Sequence, residues 1–246
     1  MKQCIHKAVE RFAETAGYGG FEPRAALFDM DGTLYDSMPH HVEAWLAMCR
    51  ATGLQASPED FLMAEGRTGA DTIDMLFRRA YGHAATEADV ERLYGIKSAN
   101  FRAMPPVSVM PGAPEAVQAC ADAGMQTVLV TGSGQSSLIE RLAKDYPGAF
   151  TLKVSSRDVR RGKPRPEPYL RAMEIAEVQP CQAIVVENAP LGVQSGVAAG
   201  VFTIGVATGL PPRVLEEAGA SIVFDSMPEC ACAMPALINA LKEYGR

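Results

Sequence analysis

The sequence contains no apolar run long enough to span a membrane. Residues 1–17 carry several charged side chains and no apolar core, so a signal peptide is not expected there. The six cysteines lack the spacing of zinc ligands, and the net charge of −6 gives no support to binding of nucleic acid or of an acidic membrane surface. These absences favour a cytoplasmic protein without nucleic-acid or membrane partners. They leave open whether it is a monomer or a homo-oligomer.

Short apolar runs of strand length alternate with segments of helical length over much of the chain, which at 246 residues can hold one large core or two domains. The runs lie at residues 25–29, 126–131, 183–187 and 201–206, with a weaker one at 221–224. The helix-length segments lie at 113–123, 135–145, 167–176 and 191–199. Such alternation is typical of βαβ units, so we predict a Rossmann-like α/β core with a parallel sheet.

Residues 37–106 interrupt this alternation, because they contain helical patterns and no convincing strand. Prolines and glycines flank the block on both sides, which suits linker or hinge positions. We predict a helical extension at 1–20, a core at 21–36 and 107–246, and an inserted helical cap domain at 37–106. The alternative is an enlarged helical layer that does not move.

Two aspartates follow the first predicted strand, in Phe28-Asp29-Met30-Asp31-Gly32. Because alternate residues of an extended chain share a face, both carboxylates can meet at the carboxyl end of the strand, where parallel sheets place their active sites. Two carboxylates a few Å apart do not both ionise freely, so one is a candidate acid or base while the other stays anionic. A divalent metal ion between them would relieve the repulsion.

Two later loops carry groups that suit a phosphate ligand. After the second strand, the backbone N–H groups and hydroxyls of Thr131-Gly132-Ser133 can bind phosphate oxygens at a helix start, although a plain strand-to-helix turn is the alternative. In Gly162-Lys163-Pro164, followed by Pro166 and Pro168, the prolines restrict the backbone around one lysine. A fixed cation suits neutralisation of a nucleophilic aspartate and of phosphoryl oxygens, whereas an isolated surface lysine is the alternative.

These motifs, in this order between residue 25 and about residue 224, resemble those of the haloacid-dehalogenase-type phosphohydrolases, in particular the capped, β-phosphoglucomutase-like phosphatases. The resemblance implies phosphoryl transfer through an aspartyl-phosphate with Mg²⁺ bound. By position, Asp29 would be the nucleophile and Asp31 the acid and base. Thr131 and Lys163 would belong to the second and third motifs of the family.

The fourth motif departs from the family pattern at Glu187-Asn188. The family usually has two adjacent acids there, of which one or both help to hold Mg²⁺. Asparagine can still bind a metal through its carbonyl oxygen, but it brings no charge. The resemblance therefore implies Asp29, Asp31, Glu187 and Asn188 as metal ligands, in a site one negative charge poorer than is usual in the family.

The segment Glu65-Gly66-Arg67-Thr68-Gly69 is expected to form a cap loop that reaches the substrate, with Arg67 and Thr68 contacting it. The mutases tend to have a basic residue where Glu65 lies, and an acid would repel a phosphate dianion unless a metal lay between them. Our hypothesis is that Glu65 supplies the metal-facing charge missing at Asn188. The alternative is that Glu65 pairs with Arg67 or faces water.

A metal-facing Glu65 favours a small, highly charged substrate, and a branch of the capped enzymes with a Glu-Gly-Arg-Thr-Gly loop resembles inorganic pyrophosphatases. His41 and Lys97 roughly match the mutases' histidine that assists acid–base chemistry and their phosphate-contacting lysine, but each could be scaffold. We predict a Mg²⁺-dependent phosphohydrolase, with pyrophosphate as the first candidate substrate. A sugar-phosphate phosphatase and a β-phosphoglucomutase are the alternatives. A regulator phosphorylated on Asp29 is disfavoured, because it would need neither Asp31 nor a cap.

Overall fold

The computed structural model describes residues 2–133 and 136–245. Its strands are β1 (Ala25–Phe28), β2 (Gln126–Val130), β3 (Leu152–Val154), β4 (Ala183–Glu187), β5 (Phe202–Val206) and β6 (Ile222–Phe224). Its α-helices are α1 (Lys2–Ala16), α2 (Met38–Thr52), α3 (Pro58–Met63), α4 (Gly69–Tyr81), α5 (Glu87–Ala103), α6 (Ala113–Asp122), α7 (Ser136–Asp145), α8 (Glu167–Ile175), α9 (Pro190–Ala198), α10 (Pro212–Glu217) and α11 (Met227–Glu243).

The six strands form one parallel sheet in the order β3-β2-β1-β4-β5-β6. This arrangement confirms the predicted Rossmann-like α/β core. The five strands expected from the sequence are all present within one or two residues of the expected bounds. The edge strand β3 was missed because it has only three residues, one of which is the exposed Lys153. Helices α10 and α11 were also missing from the prediction.

Helices cover both faces of the sheet. On one face, Ala26 and Phe28 of β1 belong to an apolar cluster that includes residues of α1, α6 and α11. On the other face, Ala25 and Leu27 pack in a second cluster with residues of α8. Alternate residues of a strand point to opposite faces, and every residue of β1 is fully buried, so the strand has the continuous apolar character typical of a parallel sheet.

Helices α2–α5 lie between β1 and α6 in the chain and have an apolar core of their own, which includes Trp45, Phe61 and Leu76. The starts of α3 and α5 are set by capping boxes, in which Ser57 and Thr86 exchange hydrogen bonds with the residue three positions later. This four-helix block occupies most of the segment predicted as a cap, over the carboxyl edge of the sheet.

Two short linkers connect this block to the core, and they pair with each other. Tyr35 forms an antiparallel bridge with Val109, the Asp36 N–H donates to the Ser108 carbonyl, and the Met110 N–H donates to the Leu34 carbonyl. The chain therefore leaves the core and returns to it at one place.

The N-terminal segment forms helix α1, which packs against α11. Ile5, Val9 and Ala13 are buried at the spacing of one helical face. Arg11 donates a hydrogen bond to the Ser221 carbonyl and Tyr18 donates one to the Gly200 carbonyl, at the edge of the sheet away from Asp29. Within residues 2–133 and 136–245, no helix combines the length and apolar character that crossing a membrane requires.

Candidate active site

The chemistry-bearing side chains meet at the carboxyl ends of three adjacent strands. Asp29 follows β1, Thr131 follows β2, and Glu187 is the last residue of β4. Because β1 lies between β2 and β4 in a parallel sheet, these three positions share one edge. The β1 pairing extends to Asp29, whose N–H donates to the Val186 carbonyl, so the backbone of Asp29 is fixed by the sheet.

Lys163 is the buried cation of this edge. Its Nζ donates to Asp29 Oδ1 at 2.5 Å, to Glu187 Oε1 at 2.6 Å and to the Val130 carbonyl at 3.1 Å. An ammonium group has three protons, so every donor of Lys163 has a partner. The loop that presents it is held in turn by Glu167, whose carboxylate accepts the N–H groups of Arg160 and Arg161. Lys163 is thus held in place, as expected, and is not a surface lysine.

Glu187 is saturated with hydrogen-bond donors. Its Oε1 accepts from Lys163 and from the Tyr169 hydroxyl at 2.7 Å, and its Oε2 accepts from the N–H groups of Asn188 and Ala189. The side chain is 1% exposed. In this arrangement Glu187 is the anchor of Lys163, whereas the resemblance implied a metal ligand. Tyr169 was missed by sequence reasoning, because a tyrosine in the first turn of a helix is indistinguishable from an ordinary core residue.

Asp31 belongs to a second network that enters the helical block. Its Oδ1 accepts from the Ser37 hydroxyl at 2.6 Å and from His41 Nε2 at 3.0 Å. His41 Nδ1 accepts from Lys97 Nζ at 2.8 Å, which places the ring proton on Nε2. Lys97 also lies over the rings of Trp45 and Phe101. His41 and Lys97 therefore reach Asp31 in series, and Ser37 is a partner that the sequence did not indicate.

The two aspartates have opposite pKa shifts. Burial raises the pKa of Asp29 well above its usual range; the Lys163 charge opposes this effect, and the charges of Glu187 and Asp31 add to it. Burial would also raise the pKa of Asp31, but its hydrogen bond and electrostatic interaction with His41, with the Ser37 hydroxyl and Lys97, hold it below its usual range. The two neighbouring carboxyls therefore lie in different electrostatic environments.

The phosphate-binding candidates Thr131, Gly132 and Ser133 form a tight turn. The Ser133 N–H donates to Thr131 Oγ1 at 3.0 Å. A Cβ on Gly132 would lie 2.8 Å from the Gly66 carbonyl oxygen, so this loop touches the Glu65–Gly69 loop directly. Residues 134 and 135, the start of the predicted helix at 135–145, lie outside the described residues.

The Glu65–Gly69 loop reaches the sheet edge through Glu65. Its Oε1 accepts a hydrogen bond from Asn188 Nδ2 at 2.9 Å, while Asn188 Oδ1 accepts one from the Thr33 hydroxyl. Burial raises the pKa of Glu65 well above its usual range, with further increases from Asp29, Glu187 and Asp31, and the hydrogen bond from Asn188 opposes them. Thr68, expected to contact substrate, instead caps α4, because its Oγ1 accepts from the Asp71 N–H.

A cavity of about 70 Å³ lies between the sheet edge and the helical block. Asp29, Asp31, Thr131, Gly132 and Ser133 line its floor, and its upper wall includes Glu65, Arg67, His41, Lys97, Trp45 and Tyr94. All the candidate site residues named from the sequence border this cavity except Thr68, Lys163, Glu187 and Asn188. The last three lie directly behind Asp29 and Glu65 through the contacts described above.

The residues around Asp29 suit Mg²⁺. This hard cation prefers oxygen ligands, keeps several waters and uses only one or two protein carboxylates together with substrate phosphate. Asp29 and Glu65 supply two buried carboxyl groups, whose pKa values are raised chiefly by burial, and Asn188 has an amide oxygen that accepts from the Thr33 hydroxyl. Within the part of the chain that the structure describes, no three His, Cys, Asp or Glu side chains form a ready-made metal cluster.

Residues 23–200 match the family model of the haloacid dehalogenase-like hydrolases. The chain belongs to this family. Among its curated relatives, hexitol phosphatase A of Escherichia coli is 34% identical over 73% of this chain and 81% of its own length. The phosphorylated carbohydrates phosphatase of Thermotoga maritima is 28% identical over 89% of this chain and 98% of its own length. Membership of the hydrolase family and these relatives identify the chain as an enzyme of the phosphatase type.

Solved structures of the family have the same architecture. A Bacteroides vulgatus protein named "Putative beta-phosphoglucomutase" superposes with a TM-score of 0.95 at 43% identity, covering 99% of this chain and 100% of its own. The similarity to capped, β-phosphoglucomutase-like members that the sequence motifs indicated is thereby confirmed. The match includes the N-terminal helix, because the relative covers almost the whole chain.

Proposed function

We propose that the protein hydrolyses a phosphate group from a small metabolite through a covalent phosphoryl intermediate on Asp29. The observation that carries this proposal is the bridge from Asp29 Oδ1 through Lys163 to Glu187, beside an Asp31 that is held separately by Ser37 and His41. A nucleophilic carboxylate needs a cation that stabilises the transferring group, and a second carboxyl that handles protons. The site provides each of these beside one cavity.

In the proposed reaction, a carboxylate oxygen of Asp29 attacks phosphorus and forms the O–P bond, while the bond from phosphorus to the leaving oxygen breaks. Asp31 gives its proton to that leaving oxygen. Asp31 then takes a proton from water, and the water oxygen attacks phosphorus to release phosphate and restore the Asp29 carboxylate. Lys163 stabilises the charge on the phosphoryl oxygens, and the turn at Thr131–Ser133 offers N–H and hydroxyl groups to the same oxygens.

Mg²⁺ is part of this proposal as the cofactor. Asp29, Asp31, Glu65 and Asn188 are the residues proposed to hold it, whereas Glu187 acts through Lys163. When bound, the ion would reduce the repulsion between an anionic substrate and the nearby carboxylates, and it would polarise the phosphoryl oxygens. The side chains described above orient the nucleophile and move the proton.

For the substrate we propose a phosphorylated sugar or sugar alcohol. The relatives named above are a hexitol phosphatase and a phosphorylated carbohydrates phosphatase, and both align over most of their length. This support favours the sugar-phosphate alternative over pyrophosphate, the first candidate from the sequence. Exposed Arg67 and the aromatic wall of the cavity, Trp45 and Tyr94, offer polar and stacking surfaces suited to a small carbohydrate.

Inorganic pyrophosphate is the second candidate, and Glu65 is the observation that favours it. This carboxylate accepts from Asn188, and its pKa is raised first by burial and then by the charges of Asp29 and Asp31. An acid at that position repels a free phosphate dianion but binds a metal-loaded one. A β-phosphoglucomutase reaction would use the same Asp29 and return the phosphoryl group to a sugar.

Phosphate release in the presence of Mg²⁺ separates these candidates. The panel is a hexitol phosphate, glucose 1- and 6-phosphates, phosphoglycolate, a nucleoside monophosphate and pyrophosphate. We expect the highest kcat/KM on a sugar or sugar-alcohol phosphate. If kcat/KM were orders of magnitude higher for pyrophosphate than for the sugar phosphates, pyrophosphate would become the proposed substrate. Interconversion of glucose 1- and 6-phosphates that depends on a bisphosphate would indicate the mutase instead.

Substitution of Glu65 tests its proposed metal contact directly. We expect Glu65→Gln to weaken Mg²⁺ binding by about 10-fold or more, because one anionic ligand becomes neutral. Isothermal titration calorimetry with Mg²⁺ alone measures this without relying on activity. Glu59→Gln, an exposed acid on α3, is the matched control and should leave Mg²⁺ affinity unchanged. Equal affinity in the Glu65 variant and the wild type would rule out the contact and weaken the case for pyrophosphate.

A cytoplasmic location is also part of the proposal. All six cysteines are free thiols, and four of them are at least partly buried. Disulfides are rare in reducing compartments, so free cysteines fit such a compartment.

A further inference from the structure

Tyr169 is a buried side chain beside the reacting groups that the proposed reaction does not use. It is fully buried in the first turn of α8. Its hydroxyl donates to Glu187 Oε1 at 2.7 Å, and Lys163 Nζ lies 5.3 Å from the centre of its ring. Tyr169 therefore touches both the cation and the acid that anchors the cation, without touching Asp29.

The position of Lys163 Nζ depends on one shared oxygen. Glu187 Oε1 accepts from Lys163 and from Tyr169, while Oε2 is occupied by two backbone N–H groups. Lys163 divides its charge between this oxygen and Asp29 Oδ1, at 2.6 and 2.5 Å. Hydrogen bonds between charged groups are strong, so any change at Oε1 alters the balance between the two carboxylates.

We propose that Tyr169 is a positioning residue for Lys163 in the reaction proposed above, on which this inference rests. Its hydroxyl satisfies part of the acceptor capacity of Glu187 Oε1 and thereby leaves the ammonium free to bridge to Asp29. Its ring supplies an aromatic face that supports the ammonium from the side. Without the hydroxyl, Glu187 has one donor fewer and draws Lys163 towards itself, away from the nucleophile.

The Tyr169→Phe variant isolates this effect, because phenylalanine keeps the ring and removes only the hydroxyl. We expect kcat to fall about 10-fold with KM within about twofold of the wild type, since a hydrogen bond that orients a charged catalytic group is lost. We also expect a crystal structure of the metal-free variant to place Lys163 Nζ beyond hydrogen-bond distance of Asp29 Oδ1 while it remains bonded to Glu187.

Tyr18→Phe is the matched control, because the Tyr18 hydroxyl also donates a hydrogen bond, to the Gly200 carbonyl, but far from Lys163. It should leave kcat and the Lys163 position unchanged. Thermal unfolding of both variants measures the loss of stability common to removing a tyrosine hydroxyl.

A kcat of Tyr169→Phe within about twofold of the wild type would overturn the proposal. So would a lower kcat with Lys163 Nζ still 2.5 Å from Asp29 Oδ1, because the loss would then come from packing. If the wild type released phosphate from no substrate of the panel, the proposed function would fail. The crystal structure would still decide whether Tyr169 positions Lys163.

Discussion

Asp31 accepts hydrogen bonds from Ser37 and His41, whereas Asp29, two residues earlier, faces Lys163. The separation follows from the turn after β1, in which Gly32 has a positive φ of 81° and lets the chain reverse directly after Asp31. Two identical carboxylates thereby acquire different neighbours and opposite pKa shifts. The proposed roles rest on these neighbours: Asp29 faces a cation that would stabilise a phosphoryl group, and Asp31 is held beside a histidine, away from that cation.

Asp31→Asn should lower kcat by about 10²- to 10⁴-fold, the usual contribution of general acid–base catalysis, because the amide neither gives nor takes the proton. Steady-state kinetics on the best substrate of the panel measure the change. Asp36→Asn is the control, since Asp36 lies nearby, is exposed and is outside the site. A kcat for Asp31→Asn within about tenfold of the wild type would remove Asp31 from the acid–base role.

The shifted pKa of Lys97 predicts how the stability of the folded protein changes with pH. Burial lowers its pKa from an ordinary 10.5 to about 8, against the charge of Asp31, which raises it. Below about pH 8 the folded protein carries a buried charge, and between pH 8 and 10.5 the folded chain has lost a proton that the unfolded chain still holds. The cost of this buried charge is therefore largest below pH 8 and fades as the pH rises to 10.5.

The stability difference between Lys97→Met and the wild type should follow this cost. We expect Tm of the variant minus Tm of the wild type to be constant up to about pH 8 and to decrease from there towards pH 10. Differential scanning calorimetry across this range measures it. Lys144→Met removes an exposed lysine of α7 and should show a constant difference. A pH-independent difference for Lys97→Met would mean that the pKa of Lys97 is not lowered by folding.

Among the elements, α9 is constrained most closely by the site. Gly192, in its first turn, lies against the Glu187 carboxylate, and a Cβ there would be 1.9 Å from Oε1. Gly196, one turn later, lies against Thr203 of β5, where a Cβ would be 2.6 Å from Oγ1. Both glycines permit close packing of the helix on the sheet.

Gly192→Ala should displace Glu187 and reduce kcat by about 10-fold or more, because the new methyl group occupies the position of the carboxylate that holds Lys163. The matched control is Gly95→Ala on α5, where nothing lies within 4 Å of the new Cβ. That change should stabilise the protein by about 0.5–1 kcal/mol through helix propensity, with kcat unchanged. A kcat of Gly192→Ala equal to that of the wild type would show that catalysis does not depend on the position of Glu187.

At the scale of the whole molecule, Arg141 of α7 connects the core to both linkers of the helical block. Its Nη1 donates to the Val107 carbonyl and its Nη2 pairs with Asp145, which also accepts from the Tyr35 hydroxyl at 3.0 Å. The guanidinium lies over the Tyr35 ring. Val107 belongs to the returning linker and Tyr35 to the outgoing one, so a single cation restrains both.

Loss of this restraint should appear as faster amide exchange in the linkers. In Arg141→Gln we expect exchange at Asp36 and Met110, whose N–H groups bond across the two linkers, to rise by about 2- to 10-fold, the effect of one lost hydrogen bond. Hydrogen–deuterium exchange with mass spectrometry on the metal-free protein measures it. Lys144→Gln on the same helix should leave these amides as protected as in the wild type. Equal protection in both variants would assign the restraint to the backbone pairing alone.

The sequence predicted the parts of this fold that depend on local patterns. Five strands and their parallel arrangement follow from the apolar runs and their spacing, because burial on both faces demands such runs. The short edge strand β3 was missed, since three residues with an exposed lysine carry too weak a pattern. Thr68 was assigned to substrate from its place in a loop, whereas the start of α4 uses its hydroxyl as a cap.

The sequence by itself identified the residues to which we assign the chemistry, because Asp29, Asp31, Thr131, Lys163 and Glu187 stand at strand ends and in turns that local patterns identify. Only the tertiary structure decided what each of them touches. Glu187 is used to hold Lys163, since four donors from separate segments converge on its carboxylate. The contact of Tyr169 in α8 with Glu187 also depends on packing. Hydrogen bonds between residues distant in the chain cannot be predicted from local spacing.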